Sequence, residues 1–391
     1  MTARSIKGKS TNEILEALRQ QTQDGFEPTL AIVFISIKMD RAAIAGILHE
    51  KGISVIGATS SGEFIDGHQS EGEAAILLLD IPKEDFTILF RETVGQPLGQ
   101  VVQQAAREAM TKFSNPAYIA MTTCLNEKGE LFEGAQFVHT LEESHDGKTD
   151  IFGGMAGADG ELIPSWVFTE NQTSDEGFVL LVLDRNKIDL FGVAISGWKP
   201  LGRIRTVTKC EDGWLCTIDD QPALDMYLRY LGESLDQKEE KANLFVENIS
   251  MFHPFLCLDD VDPVLRTPMF VDKEKNAISM DYPIPEGGTF QFTLPPDFDI
   301  VESVFKEAEI MQKGSGIRAD ALLVFSCLGR LSALGPMATQ ENEGLHEIWQ
   351  APMAGFFTYG EYGKDLAGKN KMHSTTCSWV ALKEKPNPGV H

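Results

Sequence analysis

The chain has 391 residues and a formal charge of −24 at pH 7, from 58 acidic and 34 basic side chains. A negative field of this size repels phosphate backbones, which argues against nucleic acid as a partner. The length favours two or three domains, and no uncharged apolar run is long enough to span a membrane.

The cysteines and the N-terminal residues favour a cytoplasmic location. The first residues lack the apolar core of a secretion signal. The six cysteines form neither a CxxC pair nor zinc-finger spacing. We therefore expect a cytoplasmic protein with reduced thiols.

The first half of the chain alternates strands and helices as layered α/β domains do. An apolar run at 30–37 predicts a strand buried on both faces, and helix 41–51 and strand 54–58 follow it. Further strands are predicted at 74–79, 86–90, 117–123, 166–169, 178–183 and 189–196, and a helix at 99–113. Pro200 and Gly202 then interrupt the pattern, which predicts a first domain over 25–200.

The second half begins with two predicted strands separated by a short turn, which is a hairpin signal. The predicted elements are strands 203–209 and 214–218, a helix from Pro222 to Tyr230, a helix over 297–313 and a strand over 321–325. These elements predict a second domain over 203–383.

Two short segments resemble each other. Residues 57–64 read GATSSGEF and residues 355–362 read GFFTYGEY, and each follows an apolar run that ends near a serine. One interpretation is chance, because Gly-Glu turns are common. The other is a duplicated lobe, in which each half places a Gly-Glu turn at a strand end and directs polar groups into a shared cleft.

At these residues the chain resembles the FIST family of sensory domains. The matching segments are 57–63, Phe152–Gly160, Phe325–Arg330, Gly355–Glu361 and His373–Cys377. Ala58 and Ser374 depart from the cysteine and asparagine that many relatives carry. The expected fold is α/β with α+β character: two related mixed-sheet lobes, helices packed on the sheets, and a ligand cleft between or beside the lobes.

The resemblance implies a signalling protein that is not an enzyme. Relatives are thought to bind small molecules such as amino acids, and to act beside histidine kinases, chemoreceptors or cyclic-dinucleotide enzymes. Some relatives are described as haem-binding nitric oxide sensors. The chain shows no output segment of its own, so we expect a separate signalling partner.

Arg330, Tyr359 and Glu361 are the leading candidates for a ligand site, because a guanidinium can hold a carboxylate and a glutamate an ammonium group. The alternative is a structural Arg–Glu pair between two loops. The other candidate residues are Thr358, Cys327, His373, Ser60, Glu63 and Asp159. The glycines over 153–160 fit either an anion cradle or a tight turn.

Catalysis and cofactor binding have weaker signals. Cys327 and His373 can be a nucleophile and its base, or a buried thiol and an unrelated histidine. No serine-hydrolase, Walker or zinc motif occurs, so we predict no enzyme activity. No cofactor is predicted either, although haem needs only one axial histidine and stays an alternative.

Overall fold

The computed structural model describes residues 1–232, 241–243, 249–258, 263–294, 297 and 299–386. The predicted α/β class is confirmed, with mixed sheets and helices packed on them. No helix in these ranges is both long and apolar enough to cross a bilayer.

The first unit of the fold comprises residues 3–79. Its strand β2 is buried along all seven of its residues, as the apolar run at 30–37 predicts. Ser10 and Asp40 cap its two helices by accepting hydrogen bonds from backbone N–H groups, as N-cap residues do. The elements are β1 (Ala3–Gly8), α1 (Thr11–Gln21), β2 (Leu30–Ser36), α2 (Arg41–Glu50), β3 (Ser54–Ser60), β4 (Glu63–Ile65), β5 (His68–Ser70) and β6 (Ala74–Leu79).

The second unit repeats this order over residues 86–184. It includes a helix, α4, that the sequence analysis does not predict. The elements are β7 (Phe86–Glu92), α3 (Leu98–Lys112), β8 (Pro116–Thr122), α4 (Gly134–Glu143), β9 (Ile151–Met155), β10 (Val167–Thr169), β11 (Thr173–Ser174) and β12 (Gly177–Asp184).

The third unit begins with β13 (Ile188–Ile195) and is then interrupted by an insertion. The predicted hairpin is present in the insertion, where β14 and β15 pair through Glu211 and Trp214. The insertion contains β14 (Pro200–Glu211), β15 (Trp214–Ile218), β16 (Gln221–Pro222), α5 (Ala223–Leu231), β17 (Lys241–Asn243), α6 (Ile249–Phe252), β18 (Phe255–Cys257), β19 (Val264–Arg266), β20 (Pro268–Asp272), β21 (Ala277–Met280) and β22 (Thr289–Thr293). Its strands form a separate sheet.

After the insertion the third unit resumes with the same order as the other two, except that an additional short helix, α8, precedes its second outer helix. Its elements are α7 (Asp299–Ser315), β23 (Ala321–Cys327), α8 (Leu328–Leu334), α9 (Met337–Trp349), β24 (Met353–Thr358), β25 (Glu361–Lys364), β26 (Asn370–His373) and β27 (Cys377–Glu384). The described residues therefore contain the same supersecondary unit three times.

The strand orders of the three sheets show that the units are equivalent. The orders are β1-β6-β2-β3-β10-β11, β7-β12-β8-β9-β25-β26 and β13-β27-β23-β24-β4-β5. In each sheet the last two strands are a hairpin from another unit. The three units are thus joined in a ring by exchanged hairpins. The two similar segments with Gly-Glu turns, at 57–64 and 355–362, belong to the first and the third unit.

Three backbone hydrogen bonds close this ring at equivalent positions. They are Ser61 N to Phe357 O at 3.0 Å, Tyr359 N to Met155 O at 3.2 Å, and Gly157 N to Thr59 O at 2.8 Å. The turn that follows the third strand of each unit is therefore held against another unit.

One apolar core lies between the three sheets. Its residues come from the inward faces of all three units and include Ile32, Phe34, Ile119, Met121, Leu323 and Phe325. The alternate residues of the same strands face the outer helices, as the two-residue period of a strand requires. Burial on both faces explains the unbroken apolar runs in the sequence.

The predicted domain boundary near residue 200 stays a prediction. The third sheet contains β4 and β13 from the first predicted domain and β23 from the second. The helix predicted at 297–313 is α7.

Candidate functional site

A small cavity lies where the second unit, the third unit and the insertion meet. We call it the junction cavity. Its volume is ≈ 80 Å³. The second unit contributes Cys124, Leu125, Leu131, Phe132, Met155 and Leu162, the third unit Cys327, Leu328, Gly329, Thr358, Tyr359, Met372, Ser374 and Thr375, and the insertion Thr267, Met269 and Asp281.

Cys327, Thr358 and Tyr359 are the predicted site residues that line this cavity. Cys327 ends β23 and Thr358 ends the neighbouring parallel strand β24, opposite it in register. The carboxyl ends of adjacent parallel strands are where α/β sheets commonly bind ligands. Tyr359 follows directly, and its hydroxyl donates to the carbonyl of Glu161, so the ring closes the cavity against the second unit.

Glu361 lies behind the cavity wall and is fully buried. Its carboxylate accepts hydrogen bonds from Thr358 Oγ1 at 2.5 Å, from Thr376 N at 3.1 Å and from Thr376 Oγ1 at 2.8 Å. Burial raises the pKa of Glu361 to about 7, and these hydrogen bonds oppose the rise. Glu361 therefore braces its turn from inside.

Glu63 occupies the equivalent position in the first unit. It accepts a hydrogen bond from the Ser60 hydroxyl, and Glu73 N donates to its other oxygen at 3.1 Å. Burial raises the pKa of Glu63 to about 8. The two Gly-Glu turns lie side by side, because Phe357 N donates to Gly62 O at 2.9 Å. The carboxylates are not part of the lining of the junction cavity.

Asp159 lies at the interface of the second unit with the first. Its backbone N–H donates to Ser60 O at 2.8 Å. Its carboxylate accepts from Ser36 Oγ at 2.9 Å and pairs with Lys38 Nζ at 3.2 Å. In the same segment, a Cβ at Gly153 would lie 1.8 Å from the carbonyl oxygen of Ala120. Gly153 therefore allows β8 and β9 to lie close together, and Asp159 contacts the first unit.

Arg330 is fully buried and forms an ion pair with Glu341 of α9. The closest contact, from Nη2 to Oε1, is 2.6 Å, and Nε lies 3.0 Å from each carboxylate oxygen. The guanidinium also donates to the carbonyls of Ser196 and Ile300. The structure therefore places Arg330 in a structural Arg–Glu pair, with Glu341 and not Glu361 as the partner.

Cys327 and His373 line different cavities. His373 lies beside a cavity of ≈ 260 Å³, and its Nε2 is 3.2 Å from the carbonyl oxygen of Gly363. Burial lowers the pKa of His373 to about 4. Burial raises the pKa of the Cys327 thiol well above its usual value, and the nearby Glu361 raises it further. These environments favour a neutral imidazole and a protonated thiol, which is unfavourable for a thiolate nucleophile.

Asp281 is the cavity residue that the sequence analysis missed. It accepts hydrogen bonds from Thr267 N at 2.9 Å, Tyr282 N at 2.8 Å and the Ser374 hydroxyl. Burial raises the pKa of Asp281, and the charge of Arg266 opposes this. Asp281 lies outside every matched motif. Its partner Ser374 was the available signal, because it lies within the matching segment His373–Cys377.

Thr375 also lines the cavity but was not predicted as a site residue. It has a positive φ of 55°, a conformation that β-branched residues rarely adopt. Of the three cavity methionines, Met155 lies in the matching segment Phe152–Gly160, whereas Met269 and Met372 lie outside every matching segment. No cluster of three or more His, Cys, Asp or Glu side chains within the described residues is arranged to hold a metal ion.

These observations define an α/β protein built from three repeated units, with a small apolar cavity at a junction between them. The chain belongs to the FIST family: the FIST N domain model matches residues 29–221, and the FIST C domain model matches residues 223–364. FIST domains are sensory domains of signal transduction, which supports a sensor role. A search of curated proteins finds no match.

Proposed function

We propose that this chain is a cytoplasmic sensor that binds a small molecule in the junction cavity and signals through a separate protein. One observation carries the proposal: three parts of the chain, namely two units and the insertion, line the same cavity. A ligand shifts the balance between two arrangements of these three parts only if it binds one arrangement more tightly than the other. Because all three parts line the cavity, its shape and its affinity for a ligand depend on how they are arranged.

Helix α8 offers a route from the cavity to the outer helices. Leu328 and Gly329, its first residues, line the cavity. The next residue, Arg330, contacts Glu341 on α9 and the carbonyl of Ile300 on α7. A ligand that displaces α8 would therefore disturb the packing of α7 and α9.

The proposal also concerns the chemical class of the ligand and the kind of signalling partner. An amino acid, as predicted from the family, needs a cation for its carboxylate, and Arg330 is already paired with Glu341. We therefore propose a small molecule without restricting it to amino acids. A histidine kinase, a chemoreceptor or a cyclic-dinucleotide enzyme would suit a sensor as partner.

We propose a binding role and not catalysis, because the Cys327 thiol is buried and its pKa is raised. We propose no cofactor. Haem fits the junction cavity poorly, because ≈ 80 Å³ is smaller than a porphyrin and the described lining residues include no histidine. A purified sample that gains a Soret band after haem addition would favour the haem alternative.

Native mass spectrometry of the freshly purified protein tests the proposal. Gly329→Leu adds a side chain at the cavity wall, where an added Cβ would lie 3.3 Å from Thr375 Cγ2. Gly46→Leu is the matched control, because Gly46 is also helical and no atom lies within 4 Å of its Cβ position. We expect a co-purifying small molecule with the wild type and Gly46→Leu, and its loss from folded Gly329→Leu. Retention by Gly329→Leu would place the ligand elsewhere.

A further inference from the structure

We infer that the junction cavity selects a mainly apolar molecule that carries an ammonium or another N–H donor group, and that it disfavours a free carboxylate. The inference rests on the proposed function, since it assigns the ligand class of the same cavity. Four properties of the lining support it.

The first property is the apolar, sulfur-rich wall. Three methionines, two cysteines, Leu328 and Phe132 supply much of the lining. Thioethers are polarisable, adapt their shape and make favourable contacts with aromatic rings. In a cavity of ≈ 80 Å³, the body of the ligand is therefore expected to be small and aliphatic.

The second property is that four of the five hydroxyl groups of the lining, all except that of Thr267, donate their protons to protein acceptors. Thr358 Oγ1 donates to Glu361 at 2.5 Å, and Thr375 Oγ1 donates to the carbonyl of Ser374 at 2.7 Å. The Tyr359 hydroxyl donates to a backbone carbonyl, and the Ser374 hydroxyl donates to Asp281. These groups can accept hydrogen bonds from a ligand, but none has a second proton to donate.

The third property is the lack of a cation for an anionic ligand. None of the described residues that line the cavity is Lys, Arg or His. Arg330 pairs with Glu341, and Arg266 lies over the Tyr282 ring and donates to the Met372 carbonyl at 3.3 Å. A carboxylate placed here would lose its hydration without gaining a matched partner.

Backbone donors do not replace that cation. The backbone N–H groups of Gly329, Arg330 and Thr375 already act on the Cys327 thiol, where they lower its pKa against the effect of burial.

The fourth property is the carboxylate of Asp281. It accepts three hydrogen bonds, from Thr267 N, Tyr282 N and the Ser374 hydroxyl. A carboxylate has about four acceptor positions, so one stays available for a ligand donor. Hydrogen bonds with an ionised partner are stronger than neutral ones, so an ammonium group would form the strongest hydrogen bond at this position.

Matched probes test the ligand class. We would measure the binding of methylamine, ethylamine and propylamine, and of formate, acetate and propionate, by calorimetry, because molecules of this size fit a cavity of ≈ 80 Å³. We expect the best amine to bind at least about tenfold more tightly than the best acid. Equal or tighter binding of the acids would overturn the ligand class alone. If no probe binds at about 10 mM, and Gly329→Leu retains its co-purified molecule, the proposed function fails as well.

Asp281→Asn tests the named acceptor. The amide keeps the shape of the side chain and an oxygen for the backbone donors, but it removes the charge. Asp80→Asn is the control, because Asp80 also accepts a backbone N–H, from Thr2 at 2.8 Å, and lies outside the cavity lining. We expect Asp281→Asn to weaken amine binding about tenfold and to leave acid binding unchanged or tighter. A loss no larger than that of Asp80→Asn would overturn the role of Asp281.

Discussion

Thr358 Oγ1 donates a hydrogen bond of 2.5 Å to Glu361, three residues further along the chain. Ser60 makes the same contact with Glu63 in the first unit. Both carboxylates are fully buried, and each accepts another hydrogen bond from the backbone N–H of the residue just before a strand, Glu73 before β6 and Thr376 before β27. The repeated Gly-Glu sequence therefore encodes a repeated internal brace.

This brace has a pH dependence that Glu361→Gln should reveal. The folded pKa of Glu361, about 7, lies above its usual value of 4.5. The folded state therefore holds the proton more tightly, and the penalty of ionising the buried group appears as pH rises from 4.5 to 7. Gln resembles the protonated form. The free energy of unfolding of Glu361→Gln, relative to that of the wild type, should therefore increase with pH, by at most about 3 kcal/mol.

The measurement is urea denaturation of the wild type and the variant between about pH 5 and pH 8. Thr358 can adapt to the amide, because its hydroxyl also lies 3.3 Å from the Ser326 carbonyl. Glu27→Gln, at an exposed position, is the control. A difference between wild type and Glu361→Gln that stays constant over this range would contradict the assignment.

Arg330→Ala should be strongly destabilising. It leaves the Glu341 carboxylate buried without its cation, and removing one partner of a buried ion pair typically costs about 3–5 kcal/mol. Replacement of both partners, Arg330→Met with Glu341→Leu, should restore most of this loss, because no uncompensated charge is left. Guanidinium denaturation of the three proteins gives the comparison. A double variant as unstable as Arg330→Ala would show that the guanidinium acts through its bonds to the carbonyls of Ser196 and Ile300.

Local sequence patterns predicted the repeated strands and the Gly-Glu turns, because burial on two faces requires continuous apolar residues. The third repeat was hidden for two physical reasons. In the second unit the positions equivalent to the Gly-Glu pair are Ala158 and Asp159, and the Gly160-Glu161 pair lies two residues further along. The insertion separates β13 from α7, so that unit is discontinuous in sequence.

The candidate site was only partly predictable. Cys327, Thr358 and Tyr359 could be found because they follow recognisable strands. Asp281 reaches the cavity from the insertion, through a contact with Ser374 that spans 93 residues of sequence. Arg330 has the chemistry of a ligand residue, but its partner Glu341 comes from a helix that no motif marks. Partners of this kind are set by tertiary packing.

Gly153→Ala should disrupt the pairing of β8 with β9. The glycine has a φ of 145°, and a Cβ there would lie 1.8 Å from the carbonyl oxygen of Ala120. The strands must separate to admit a methyl group, so we expect a loss of at least about 2 kcal/mol. Gly46→Ala, in open space on a helix, should gain up to about 1 kcal/mol. Thermal denaturation distinguishes the two, and equal stability of the two variants would contradict the close approach.

The shared core predicts that the three units unfold together. Phe34 of the first unit stacks on Phe356 of the third, with ring centroids 4.6 Å apart, inside the core that all three sheets enclose. Phe34→Ala should cost about 3–5 kcal/mol. Because the core is continuous, hydrogen exchange should accelerate by a similar factor in β2, β8 and β23.

Phe290→Ala is the matched control for this prediction, because Phe290 is equally buried but belongs to the separate core of the insertion. If the insertion is an independent cooperative unit, this variant should accelerate exchange in β14 and β22 and leave β2 protected. Acceleration of β2 by Phe290→Ala to the same extent as by Phe34→Ala would instead mean that insertion and ring unfold as one body. The junction cavity would then lie within a single cooperative unit, and a ligand bound there would stabilise all of it.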